Sequence, residues 1–215
     1  MQEFWEQYWK SRKPINCIVS FVRKYYFSKI LANYIRQFCK RKGRILELGC
    51  GSCTTLVAIS KMNYKTFGVD SSKNASKLAE KNLKKGRFLI GDALSLPFKN
   101  NVFDVVYSTG LFEHLDNPKV FIKENLRSLK PNRYAIIIIP RSHFLFKFWV
   151  RLTRSNFLQF LFPWYETVNF SDIVHELHQA KIWKKEIENL FRKVGEKVEK
   201  IPRCFGLYTS CVIKK

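Results

Sequence analysis

The stretch Glu47-Leu-Gly-Cys-Gly-Ser-Cys53, ELGCGSC, admits two readings that lead to unrelated proteins. Cys50 and Cys53 form a C-x-x-C, the spacing of a thiol redox site or of half a zinc site. Gly49 and Gly51 form a G-x-G, the spacing of a nucleotide-binding turn. The flanks favour the second reading. Before the stretch runs Arg44-Ile-Leu-Glu-Leu48, a short apolar segment with strand character, and after it residues 54–62 carry helical patterning. A glycine pair between strand and helix permits a sharp turn and lets a ligand approach the free N–H groups at the helix start.

Working outward, the same alternation continues to residue 139. Lys65–Asp70, Arg87–Ile90, Val102–Ser108 and Tyr134–Ile139 read as further strands, the last a β-branched run suited to a strand covered on both faces. Helices are expected at 74–84 and 118–129, the latter stopped by Lys130-Pro131-Asn132. Residues 4–39 show apolar positions at helical spacing, including Phe4, Tyr8, Phe21 and Tyr34, and predict one or two helices packed on the sheet edge. Residues 184–194 predict another helix, and Glu196–Lys200 with Phe205–Ile213 a closing antiparallel pair. The fold expected is α/β: a Rossmann-like, doubly wound, seven-stranded and mostly parallel sheet with an antiparallel C-terminal strand and helices on both faces.

Such sheets bind ligands where their strands stop. Strand two ends in Asp70, nineteen residues beyond Gly51, where a carboxylate can accept hydrogen bonds from both hydroxyls of a ribose. Strand three ends in Gly91-Asp92-Ala93, which sets a second carboxylate one strand further out, suited to an exocyclic amine. Strand four ends in Tyr107-Ser108-Thr109-Gly110, small and polar, and leads to Glu113-His114. One acid at a strand end can merely cap the next helix, as Asp70 before Ser71-Ser72 can. Glu47, Asp70 and Asp92 together beside the glycines point to a ligand. A zinc site would need two more ligands, and the remaining cysteines and the four histidines supply no second C-x-x-C or H-x3-H pair nearby. His175 and His178 are a looser pair, and no metal site is expected.

These segments resemble the class I S-adenosylmethionine-dependent methyltransferases, in particular their small-molecule branch. Glu47-Leu-Gly-Cys-Gly-Ser looks like the first motif of that family, Gly68-Val-Asp70 the second and Gly91-Asp-Ala-Leu-Ser-Leu-Pro-Phe98 the third. Phe103-Asp-Val-Val-Tyr-Ser-Thr-Gly-Leu-Phe-Glu-His114 and Leu129-Lys-Pro-Asn complete a series covering about residues 43–140. The resemblance implies S-adenosylmethionine as cofactor. By it Gly49 and Gly51 cradle the methionine part, Asp70 holds the ribose and Asp92 the adenine amine, while Glu47 fixes the turn on the ammonium side. Cys50, Ser71, Ala93 and Ser108, at the same strand ends, complete the expected cofactor-binding set. Two departures stand out: Cys53 occupies the place of a third glycine, and Asn132-Arg133 that of a double glycine after Lys-Pro. The expected organisation is one domain, with N-terminal helices over 1–42, a cofactor-binding core over 43–140, an aromatic basic lid or acceptor insertion over 141–183, and a closing helix and strands over 184–215.

Methyl transfer from a sulfonium is an in-line displacement, with the acceptor atom held roughly 3–3.5 Å from the methyl carbon. A hydroxyl or acidic-carbon acceptor also needs a base. His114 with Glu113, just beyond strand four, is the candidate catalytic pair, and His143 a second candidate. Strand four lacks the Asn/Asp-Pro-Pro-aromatic tetrad associated with planar exocyclic amines, which favours oxygen or carbon as the acceptor atom.

Composition constrains the partner. The 215 residues are 46% apolar and 15% aromatic, enough to build a packed core. Lys and Arg number 39 against 17 Asp and Glu, a net charge of +22 that favours anionic partners, although the cations are scattered and runs such as Lys81–Lys85 read as solvated helix faces. Nucleic acid is therefore the less favoured partner. Six cysteines lack the density of a disulfide scaffold, and the N-terminus has no secretory pattern. Phe144–Trp164 is interrupted by Lys147, Arg151 and Arg154, each costing roughly 2.5–3.5 kcal/mol at mid-bilayer. It reads instead as a basic amphipathic stretch that meets a membrane surface through 144–165 or folds back as a lid. The chain is read as cytoplasmic, peripheral to the membrane if that stretch meets lipid. Its acceptor is read as small or lipid-like, with an RNA methyltransferase or an inactive cofactor-binding adaptor as alternatives.

Overall fold

The strands of the core follow the apolar runs closely. The computed structural model describes residues 2–11, 26–39, 42–140, 189, 197–200 and 208–215. The expected insertion at 141–183 and nearly all of the expected helix at 184–194 lie outside the described residues. Seven strands, β1 (Arg44–Leu48), β2 (Lys65–Asp70), β3 (Arg87–Ile90), β4 (Phe103–Thr109), β5 (Leu129–Pro140), β6 (Lys197–Lys200) and β7 (Tyr208–Lys214), form one sheet in the order β3-β2-β1-β4-β5-β7-β6. β1 to β5 pair in parallel, while β7 runs antiparallel to both β5 and β6. Six strands therefore share one direction and β7 alone opposes them.

Helices connect and cover the sheet: α1 (Gln2–Ser11), α2 (Ser28–Arg36), α3 (Thr54–Ser60), α4 (Lys73–Asn82) and α5 (Pro118–Ser128), with a 3₁₀ turn at Phe112–His114. Local chemistry sets their starts. The Ser72 hydroxyl accepts from Ala75 N–H at 3.1 Å to open α4. Asn117 accepts from Val120 N–H at 3.2 Å to open α5, and Pro118 in the first turn needs no hydrogen-bond acceptor.

Strand periodicity divides the core into two layers. Ile45, Val105, Tyr107, Ile136 and Ile138 pack with Leu31, Ile35, Leu56 and Ile59 of α2 and α3, while Leu46, Leu48, Val69, Val106 and Ile137 pack with Phe121 and Ile122 of α5. Residues 136–139 of β5 thus feed alternate faces, which is why that run is apolar at every position. The Tyr34 hydroxyl of α2 shares a 2.6 Å hydrogen bond with Ser210 Oγ of β7, fixing the helix over the antiparallel corner.

β5 departs from the expected 134–139. It begins at Leu129, so Lys130-Pro131-Asn132 lies inside the strand instead of forming a stop. The pairing jumps from Phe103↔Leu129 to Val105↔Tyr134, and Asn132 adopts φ 57°. This bulge absorbs a proline that cannot donate to a ladder. Among the described residues no helix is long and apolar enough to cross a membrane.

Strand order reverses between β1 and β4: β2 and β3 extend one way, β4 and β5 the other. The crossovers above β1 and β4 diverge there and leave a crevice at the carboxyl ends. Ile136, fully buried in the middle of the sheet, tests the two-layer core. Ile136→Ala should lower unfolding free energy by about 2–5 kcal/mol, read as a lower urea midpoint at unchanged slope.

Candidate active site

The glycine turn is tied to the end of β2. Gly49 N–H and Cys50 N–H donate to the Val69 carbonyl at 2.9 and 3.2 Å, and Gly51 N–H donates to Asp70 Oδ2 at 2.8 Å. Asp70 Oδ1 accepts from Ser72 N–H at 2.9 Å. One carboxylate thus joins the turn after β1 to the first residues beyond β2, and each oxygen keeps a lone pair for a further donor. Gly49 and Gly51 have φ 63° and 48°, values that favour glycine. Burial raises the Asp70 pKa, against the opposing hydrogen bonds from Ser72 and Gly51. A donor or cation at this carboxylate would be welcome.

The C-x-x-C has a packing task. Cys50 is buried with its Sγ 2.7 Å from where a Cβ on Gly68 would lie, so it fills the space that glycine leaves in β2. Cys53 is fully buried and adopts φ 59° at the start of α3, the conformation that suits a third glycine. Burial pushes the Cys50 thiol well above its ordinary pKa, which suppresses thiolate chemistry. Both cysteines are free, and among the described residues no group of three His, Cys, Asp or Glu side chains is placed to hold a metal ion.

At the carboxyl ends of the strands lies a cavity of about 600 Å³, within the range of small-molecule sites. Of the residues expected from sequence, Gly49, Asp70, Ser71, Asp92, Ala93, Glu113 and His114 line it. Glu47, Cys50, Gly51 and Ser108 do not. Glu47 and Cys50 are buried, and Ser108 faces the interior at 1% exposure while its neighbour Thr109 reaches the cavity. Strand alternation explains the exchange: consecutive residues point to opposite faces. Asp92 Oδ1 accepts from Leu94 N–H at 2.8 Å, which orders the loop after β3.

Sequence reasoning expected helices over residues 4–39 but not where the first of them sits. Its positions were read as sheet-edge packing, yet Trp5, Tyr8 and Trp9 roof the cavity. A Cβ on Gly51 would collide with the Trp9 indole, and the Trp5 and His114 rings meet edge to face at 5.0 Å. Glu6 fastens this roof. Its carboxylate accepts from Lys73 N–H at 2.6 Å, Asn74 N–H at 3.2 Å, Ser72 Oγ at 3.1 Å and Asn74 Nδ2 at 2.8 Å, all at the start of α4. A carboxylate there meets unpaired amides and the positive end of the helix dipole. The Lys73 amide is the chief reason its pKa falls below the ordinary glutamate value. The aromatic spacing 5, 8, 9 was the available signal, masked because core helices look the same.

Glu47 sits behind the turn, paired in register with Gly68 on one side and Tyr107 on the other. Desolvation pushes its pKa from the ordinary 4.5 to about 8, with the Asp70 charge adding to the rise. Among the described residues its Oε2 has no hydrogen-bond partner.

A doubly wound sheet whose switch point carries a glycine turn and an acid at the end of β2 defines a nucleotide-cofactor-binding α/β domain. A family model described as a methyltransferase domain matches residues 46–137. An uncharacterized protein of Methanocaldococcus jannaschii is 32% identical over 74% of this chain and 74% of its own length. A demethylmenaquinone methyltransferase of Thermotoga maritima is 29% identical over 58% of this chain and 54% of its own. The chain spans about half the length of most curated relatives it matches. The crystal structure of a putative S-adenosyl-L-methionine-dependent methyltransferase from Methanococcus maripaludis shares the fold at 17% identity, with TM-score 0.62 over 92% of this chain and 89% of that one. The chain belongs to the methyltransferase family that this model describes.

Two expectations follow from the geometry. Glu6→Ala should free α1 from α4, read as a red shift and stronger quenching of tryptophan emission with the core circular dichroism unchanged. For Glu47 the folded-state pKa is raised, so its linked stability is fully present below about 4.5 and lost as pH rises through about 8. Relative to Glu47→Gln, the wild type should therefore lose stability over that interval, measured by urea midpoints from pH 5 to 9.

Proposed function

We propose that the crevice binds S-adenosylmethionine and that the chain transfers its methyl group to a small-molecule or lipid-like acceptor at oxygen or carbon. The observation that carries this reading is electrostatic. In a chain of net charge +22, the cavity is lined by Asp70, Asp92, Glu113 and Asp116 and, among the described residues, by no lysine or arginine. An acidic pocket on a basic protein suits a cationic ligand, and S-adenosylmethionine carries net positive charge through its sulfonium.

The residues present fit that cofactor. Asp70 retains one acceptor site on each oxygen for the ribose hydroxyls after bonding Gly51 and Ser72. Asp92 stands one strand further out for the adenine amine, beside Ala93 and Ser71. Gly49 lines the cavity, and its missing Cβ leaves room for Leu111, which a Cβ there would meet at 3.1 Å. Glu47, Cys50, Gly51 and Ser108 act from behind this lining, shaping the turn and the floor. When bound, the cofactor supplies an electrophilic methyl group.

On the acceptor side, Trp5, Tyr8 and Trp9 form the roof, with Leu111 and Leu115 among the apolar lining. That surface suits a flat or greasy acceptor, in keeping with a relative whose name specifies demethylmenaquinone. His114 and Glu113 stand at the same rim, where His114 takes a proton from a hydroxyl or acidic carbon and Glu113 orients it. An RNA acceptor is disfavoured here because its phosphates would face four carboxylates. The inactive-adaptor alternative leans on residues 144–165, outside the described part of the chain.

The test is transfer itself. Methyl-labelled cofactor incubated with the protein and a fractionated cell extract should label the small-molecule or lipid fraction; label in RNA, or in no fraction, would overturn the reading. Asp70→Ala should weaken cofactor binding by about 1.5–3 kcal/mol, from lost charge-assisted hydrogen bonds, measured by calorimetry. An unchanged dissociation constant would remove the site.

A further inference from the structure

The opposite end of the sheet has the opposite electrostatic character. Where β1, β2 and β3 begin, α2, α3 and the end of α4 enclose an open groove of about 1440 Å³. Its floor carries Arg44, Lys65 and Arg87, the first residues of three adjacent strands. Lys29 of α2 and Lys61 after α3 stand on one side, and Lys84 and Lys85 after α4 on the other. Among the described residues no aspartate or glutamate lines the groove, and all of these cations are exposed. The carboxylate near the start of β4, Asp104, is held by Lys130 at 2.9 Å and Arg133 at 3.3 Å.

Helix electrostatics explains only part of this set. Lys61, Lys84 and Lys85 follow helix C-termini, where a cation complements the dipole. Arg44, Lys65 and Arg87 belong to no helix. The strand-start cations also lie on neighbouring strands of the sheet. Arg44 pairs in register with Lys65, and Arg87 with Phe67 two residues on, across strands about 4.8 Å apart.

We infer that this groove binds the phosphate backbone of a nucleic-acid strand. Cations lining a groove follow a chain of phosphates, whereas a bilayer surface is flat and calls for apolar side chains that insert. The exposed large apolar residues among those described are Tyr26, Ile90 and Val120, and none lines the groove. The described aromatic residues that do, Tyr64 and Phe67, are buried and half-buried, so among the described residues bases find no stacking platform and recognition runs through phosphates without regard to sequence. Strands of five or six residues separate the groove from the crevice by about 17–20 Å. The strand is therefore an anchor and not the methyl acceptor. The inference stands independently of the methyl-transfer reading.

Fluorescence anisotropy with a labelled twenty-nucleotide single-stranded RNA tests it, using the full chain at several salt concentrations. Wild type should bind with a steep salt dependence. The triple variant Arg44→Gln, Lys65→Gln, Arg87→Gln should lower the slope of log affinity against log salt by about 2, at ~0.7 per phosphate, and so weaken binding about a hundredfold at 0.1 M salt. Cofactor binding should be unaltered, which reports an intact fold. A control neutralising Lys77, Lys119 and Lys123, which lie outside the groove, should retain most of the affinity. Equal loss in the control would show diffuse attraction to a basic protein and overturn the inference. So would absence of RNA binding alongside groove-dependent binding to phosphatidylglycerol vesicles, which would make the face a membrane contact. Because all three positions are exposed, the single variant Lys65→Gln keeps the test open should the triple variant fold poorly.

Discussion

The two hydrogen bonds accepted by Asp70 are the constraint on which the site rests. A strand end and a neighbouring turn are free to drift apart unless something fixes their separation, and backbone pairing stops where β1 and β2 stop. Asp70 extends that pairing by one step, holding Gly51 N–H at 2.8 Å and Ser72 N–H at 2.9 Å. The same step orders the start of α4, on which Glu6 fastens α1. Floor, wall and roof of the crevice therefore descend from one carboxylate, whose two backbone hydrogen bonds oppose the rise in pKa that partial burial imposes.

Charge is segregated along the strand direction. Carboxylates collect at the carboxyl ends and cations at the amino ends of the same parallel strands. Parallel pairing makes this economical, because each strand contributes its first residue to one surface and its last to the other. In β2 those residues are Lys65 and Asp70. A net charge of +22 thus describes the molecule poorly, since its two clefts present opposite fields to their surroundings.

Much of this was legible in the sequence because it rests on local rules. Apolar runs of four to seven residues gave β1 to β4 nearly residue for residue, and the glycines and acids at their ends lay where the doubly wound topology puts ligands. What escaped depended on long-range geometry. The start of β5 was missed because Pro131 argues for a stop, and only pairing with β4 and β7 carries the chain through a bulge. α1 was misplaced because aromatic residues at helical spacing look the same whether they cover a sheet edge or a ligand. Glu6, four residues after the first helical position, gives no local hint that its partners lie some seventy residues away. Thr109 for Ser108 was a matter of which strand face turns toward the cleft.

The buried thiols carry a practical corollary. Cys39, Cys50, Cys53 and Cys211 are all sealed in the interior, and burial raises the pKa of Cys39 to about 11 and of Cys211 to about 12. Alkylating reagents reach them only when the surrounding layer parts, so their modification rates act as a clock for local opening. Since these cysteines lie on α2's C-terminal side, in the glycine turn and in β7, together the four thiols time the breathing of three different parts of the molecule.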